Sequence, residues 1–241
     1  MRKIWSAEET ARILRACKAH GVTITHLVNI AGALASVVPG TKTANDAPSY
    51  CFDFVQAVDL AAKTASEAEV EMETVVRIDL YPVILNVPRS AVTESANDPA
   101  RVWEIARQFK ERNDQFLKSP YFWHCLPMHT PRIIDSYKAK LAGKPALPFM
   151  SSLGDLKTLL PARYPIQPTT PSSAVAATGA EICITDNWTS GRIDPLSFAS
   201  HLFTFDDRLH LQCRYNVSRT SGTVVSHWFD HLVEIVTRVA E

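Results

Sequence analysis

The segment that most constrains this chain is a pair of arms near its end. Ser200-His-Leu-Phe-Thr-Phe205 and Leu209-His-Leu-Gln-Cys-Arg-Tyr215 flank Asp206-Asp207-Arg208. In the second arm Leu209, Leu211, Cys213 and Tyr215 alternate with His210, Gln212 and Arg214. That is the period of two expected of a strand with one apolar face. Two such arms around a short polar link predict an antiparallel hairpin. Ser221 or Thr223 then opens a last helix, with Val224, Val225, Trp228, Phe229, Leu232, Val233, Ile235 and Val236. Its apolar stripe needs a partner surface, so the expectation is an α/β chain with a sheet packed against helices.

The rest of the chain carries the same two kinds of signal. Ser6-Ala-Glu-Glu9 has the spacing of a capping box, followed by Ile13, Leu14 and Cys17 at helical intervals, with Gly21 as a stop. A second helix is expected from Thr23 to Pro39-Gly40, largely buried, with Leu27, Val28, Ala31, Leu34, Ala35 and Val38 in its stripe. Tyr50 to Val55 reads equally as strand or helix start. Glu67 to Glu73 reads as a solvated acidic face. Thr74 to Val87 reads as a strand broken by Pro82. Asp98-Pro99 predicts an N-cap with proline at the first helical position. The helix behind it shows Val102, Ile105, Ala106, Phe109 and Phe116, and a weaker helical stretch runs from Ser119 to Ala142, with Ile133, Ile134, Tyr137 and Leu141 and bent by Pro127 and Pro131. A proline-rich loop near 156–178 is expected to be exposed, and Ala180 to Thr185 reads as a strand.

Composition removes several function classes. Lys+Arg and Asp+Glu are both 25, so the net charge of zero gives no electrostatic case for nucleic acid. No stretch approaches the ~20 apolar residues of a membrane span, and Met1-Arg2-Lys3-Ile4-Trp5 lacks the apolar core of a signal peptide. Five scattered cysteines, without a CxxC pair, read as reduced thiols in a cytoplasmic protein. At 241 residues the chain is read as a single unit, 1–241.

The candidate site is Ser151-Ser152-Leu153-Gly154-Asp155, reached through Leu147-Pro148-Phe149-Met150. A strand end of small polar residues brings hydroxyls and bare backbone close to a neighbouring cleft. Ser151 and Ser152 are candidate donors to a carbonyl, Gly154 suits a special backbone conformation, and Asp155 is a candidate cap of the next turn. His227-x-x-x-His231 has metal-ligand spacing, yet Trp228, Phe229 and Leu232 between them mark a packed helix, and no metal site is assigned. His124 and His129 flank prolines without ligand geometry, Cys17 and Cys125 read as inert thiols, and no phosphate-binding glycine loop is present.

The order of these elements resembles the C-terminal lobe of a chloramphenicol-acetyltransferase-like fold, in the condensation-domain and alcohol acetyltransferase branch that includes fungal trichothecene acetyltransferase-like proteins. Ile13-Leu-Arg-Ala-Cys-Lys-Ala-His-Gly-Val-Thr-Ile-Thr25 is similar to that branch's helix junction. Ser151 to Asp155 sits where the family has its small-residue strand end, and Phe205 to Asn216 resembles its late hairpin ending in Tyr-Asn. The resemblance implies an α/β, CoA-dependent acyltransferase-like lobe with a mixed β-sheet packed against helices, an acyl-CoA or acyl-carrier thioester as co-substrate, a small-molecule acyl acceptor, and no covalently bound cofactor. It also implies a catalytic His-His-x-x-x-Asp-Gly motif in a companion N-terminal lobe. The eight histidines here include no adjacent pair, so no catalytic residue is assigned, and Ile184-Thr-Asp-Asn-Trp188 is too different to stand for the family's Asp-Phe-Gly-Trp-Gly segment. Ser151, Ser152, Gly154 and Asp155 are then expected to contact substrate. Two readings stay open: half of an enzyme that moves an acyl group to an alcohol in secondary metabolism, completed by a missing lobe, or a non-catalytic binding or scaffold lobe that covers its apolar surface by self-association.

Overall fold

A computed structural model describes residues 1–37, 48–60, 78–126, 149–166, 181–189 and 198–241, and residues 128, 131, 132 and 135 besides. In chain order the elements are β1 (Arg2–Ile4), α1 (Ala7–Ala19), α2 (Ile24–Ala35), β2 (Ser49–Asp59), β3 (Ile78–Pro88), α3 (Arg89–Ser95), α4 (Pro99–Leu117), β4 (Phe149–Asp155), β5 (Arg163–Pro165), β6 (Glu181–Cys183), β7 (Phe198–Phe205), β8 (Arg208–Tyr215) and α5 (Gly222–Arg238). The expected α/β architecture is present. The central sheet has the order β1-β8-β7-β4 and is mixed: β1 and β7 run antiparallel to β8, while β4 runs parallel to β7.

The hairpin forms as the alternation predicts. Its link is Asp206-Asp207, both at positive φ (50° and 56°), the geometry of a two-residue turn whose twist suits the flanking strands. Leu209, Leu211 and Cys213 enter the main core with Leu202 of β7, under α1, α2 and α5. The other face is covered too. Phe203 and Phe205 join Leu156 in a smaller cluster there, and His210 is fully buried against the Phe203 ring. The alternation therefore sorts two buried faces.

The helices are tied down by local chemistry. Ser6 and Glu9 close the capping box that opens α1, and the Ser6 backbone N–H bond holds the Glu9 carboxyl below its usual range. Thr23 caps α2 with an unusual partner. The Thr23 N–H donates to Nδ1 of His26 at 3.1 Å, so that nitrogen is unprotonated, and burial lowers the His26 pKa further. Asp98 caps α4, with Pro99 at its first position. Thr10 Oγ1 accepts from the Leu209 N–H at 2.8 Å and fixes α1 to β8. Trp228 donates its indole N–H to the Gly32 carbonyl at 2.9 Å, where α5 crosses α2.

One open reading is decided, one expectation changes, and two elements are new. Tyr50 to Val55 lies in strand β2, which pairs along its full length with β3. Pro82 does not break β3: among the described residues the strand pairs with β2 alone, and an edge tolerates the missing donor. Helix α3 has no side-chain bond at its N-cap, is held at its other end by Arg238 donating to the Ser95 and Ala96 carbonyls, and had no sequence signal. Strand β1, three residues long, was likewise too short for any period to show. Helix α2 is described to Ala35; Val38, Pro39-Gly40, Glu67 to Glu73, residues 74–77, Pro127, Ile133, Ile134, Tyr137, Leu141, His129, Leu147-Pro148, Pro168 and Pro171 lie outside the described residues. Of the proline-rich loop, the described part holds a single 3-10 turn (Leu156–Thr158) and β5, which pairs with β6 as an exposed ribbon. Among the described residues no helix is long and apolar enough to cross a membrane.

Candidate functional site

Strand β4 leaves its register with β7 between Ser152 and Gly154. Leu153 is the extra residue, and Gly154 turns the chain with φ +73°, a conformation costly to residues that carry a Cβ. Asp155 then accepts from the Lys157 N–H at 3.0 Å and caps the 3-10 turn. These features end the strand beside the N-terminus of α2, where Ser152 Oγ and Thr25 Oγ1 share a hydrogen bond of 2.8 Å.

A cleft of about 450 Å³ opens there, in the size range of small-molecule sites. Helix α1 walls it with Ala7, Thr10, Ala11 and Leu14, and α2 adds Ile24. Ser152, Gly154 and Asp155 come from β4, and the β7–β8 hairpin supplies Leu202, Thr204, Asp207 and Leu209 among others. Small residues on α1 leave the space. The wall is mainly apolar, with hydroxyls from Ser152 and Thr204 while that of Thr10 is taken by the Leu209 N–H, and among the described residues its charged side chains are the carboxylates of Asp155 and Asp207. Such a site suits an uncharged, apolar ligand part that needs one or two hydrogen bonds. Among the described residues its lining has no imidazole and no thiol to take a proton at neutral pH.

The structure thus brings Ser152, Gly154 and Asp155 together and separates Ser151 from them. Successive side chains of a strand point to opposite faces. Ser152 faces the helices, while Ser151 stands in register with His201 on the face turned away from them. That imidazole was not foreseen, because period alone cannot align β4 with β7. It is only 9% exposed, and its pKa is pushed down to about 4, first by burial and then by the Arg214 cation. A base of such weak proton affinity gives the Ser151 hydroxyl little activation at neutral pH.

The remaining candidates stand apart. His227 lies exposed and His231 half-exposed on α5, while Trp228, Phe229 and Leu232 face the core. Burial pushes the Cys17 thiol up to about 12 and raises Cys213 as well, which suppresses the thiolate. His124 is exposed near the end of the described helical stretch.

No family model matches the sequence, and no curated protein matches it. Solved structures do. The trichothecene 15-O-acetyltransferase from Fusarium sporotrichioides aligns at TM-score 0.73 and 19% identity, over 99% of this chain and 46% of that one. The fold is that of one half of an acyltransferase- or condensation-type protein. The epimerization domain from the third module of tyrocidine synthetase B aligns at TM-score 0.53 and 13% identity, over 100% of this chain and 47% of that one. The first condensation domain of the CDA synthetase gives 0.51 and 14%, over 100% and 44%. The chain spans about half the length of these proteins. The likeness agrees with the lobe that Ser151 to Asp155 and the late hairpin suggest.

Proposed function

We propose that this chain is the C-terminal half of an O-acyltransferase, which moves an acyl group from CoA or a carrier-bound thioester to an alcohol in secondary metabolism. The observation that carries the reading is the cleft itself, with Ser152, Gly154 and Asp155 at one end of an apolar pocket in a fold shared with acyltransferases. In this role the cleft holds the apolar acyl or acceptor part and Ser152 offers a hydroxyl to a carbonyl. The proton is taken elsewhere, by the histidine of a companion lobe. The carboxylates at the cleft repel phosphates, so a CoA nucleotide lies outside it.

The test is direct binding of an acyl thioester, with an acyl pantetheine as probe, by calorimetry on the full chain. Micromolar to millimolar binding is expected, reduced at least tenfold in Ala11→Trp, which fills the cleft from α1. A folded chain that binds no acyl thioester would remove this reading. Binding that persists without turnover, even when a lobe carrying His-His-x-x-x-Asp-Gly is supplied, favours the non-catalytic lobe. That Asp155 and Asp207 are the titratable side chains of the cleft among the described residues, with no imidazole beside them, is the observation that speaks for that second reading.

A further inference from the structure

The sheet face opposite the cleft carries buried polar groups that neither the core nor the cleft uses. Ser151 of β4 stands in register with His201 of β7, and His201 pairs with Gln212 of β8. Arg214 lies two residues further along β8, on the same face and diagonal to His201. Both ring nitrogens of His201, and Nε and Nη1 of Arg214, are buried without a hydrogen-bond partner among the described residues. Neighbouring groups are already committed. Gln212 accepts from the Thr189 N–H and donates to the Asn187 carbonyl, both at 2.8 Å. Asp186 is held by Arg2 in a two-point ion pair and accepts from the Asn187 N–H. That pair pulls the Asp186 carboxyl down to about 2.

Buried donors without acceptors are rare in folded proteins, and a buried guanidinium without a counter-ion is strongly unfavourable. Arg214 retains partial exposure as a residue, which leaves a side of the group open to solvent. We propose that Arg214, His201 and Ser151 form a second binding site, for a small oxyanion of the phosphate or carboxylate type. The guanidinium offers such an ion its positive charge and the N–H donors of Nε and Nη1, which have no hydrogen-bond partner among the described residues. The neutral imidazole supplies one further N–H and the serine its hydroxyl. Among the described residues no salt bridge to Arg214 is formed, and Asp186 belongs to Arg2. The site is separate from the cleft: Ser151 and Ser152 share a peptide bond and face opposite ways.

The experiment follows Tm of the full chain with inorganic phosphate and, separately, with acetate, at constant ionic strength made up with chloride. At a tenfold excess over Kd, one of the two ions raises Tm by about 3 °C more than chloride does. A larger response to phosphate assigns a phosphorylated ligand, and a larger response to acetate assigns a carboxylate. Arg214→Met abolishes the rise and leaves the unliganded Tm equal or higher, since it removes a buried charge that lacks a partner. If that variant does not fold, Arg214→Lys is read instead: it keeps the charge and loses the fork, and a response weakened several-fold supports the site. The proposal is overturned if neither ion exceeds chloride, or if the Arg214 variant responds as the unaltered chain does.

Discussion

At the scale of the residue, the run from Ser151 to Asp155 divides into separate tasks. Gly154 holds φ +73°, and a Cβ built on it meets nothing within 4 Å. Gly154→Ala therefore pays only the backbone cost of the left-handed region, about 1–2 kcal/mol, read as a shift of the urea midpoint at unchanged slope. His201 gives a pH dependence with a fixed sign. Its folded pKa of about 4 lies below the ordinary 6.5, so the unfolded chain takes up the proton first. Its contribution to stability is complete above 6.5, is lost as pH falls from there towards 4, and levels off below. His26 and His210, also lowered by burial, act in the same direction. A Tm series across that window should fall less steeply for His201→Gln than for the unaltered chain. Of these residues, the turn at Gly154 and the cap at Asp155 were legible in the sequence, because small polar residues at a strand end favour such local geometry. His201 and Arg214 were not: alternation puts His210, Gln212 and Arg214 on one face, but does not say that the face is covered, nor which strand lies alongside.

At the scale of the element, the firmest signals were those with a local cause. The capping box at Ser6, Asp98-Pro99 before α4 and the hairpin at Asp206-Asp207 each depend on residues within a few positions, and each appears where the sequence puts it. Strand β1 and helix α3 depend on distant partners, and nothing local announces them. The crossing of α2 and α5 depends on a small residue. At Gly32 an added Cβ would meet Trp228 at 3.3 Å and Leu232 at 3.4 Å. Gly32→Val pushes the helices apart or forces these side chains off their rotamers, and an overpacking loss of about 1–3 kcal/mol is expected in chemical denaturation. Trp228→Phe at the same crossing removes the indole bond to the Gly32 carbonyl, which keeps the N–H and hydroxyl of Ser36 as donors, so a loss of only about 0.5–1.5 kcal/mol is expected.

At the scale of the whole molecule, one four-stranded sheet separates two environments. Helices α1, α2 and α5 make a large apolar core on one side, with the cleft at its margin. The other side holds Phe203, Phe205 and Leu156 beside a polar group of arginines and histidines. The α/β class and the lobe were readable from element order, since hairpin and closing helix fix which faces must meet. The mixed sheet was expected from the resemblance, but which strands run parallel was not legible, because the β4–β7 pairing joins strands far apart in the chain. One consequence follows from the opposed directions of Ser151 and Ser152. Adjacent positions usually influence each other's mutational effects, but here the sheet stands between the side chains. Ser151→Ala and Ser152→Ala should behave as changes at remote loci. Their effects on stability should sum to within about 0.5 kcal/mol in a double-mutant cycle, and in a library selected for ligand binding the two codons should drift without epistasis.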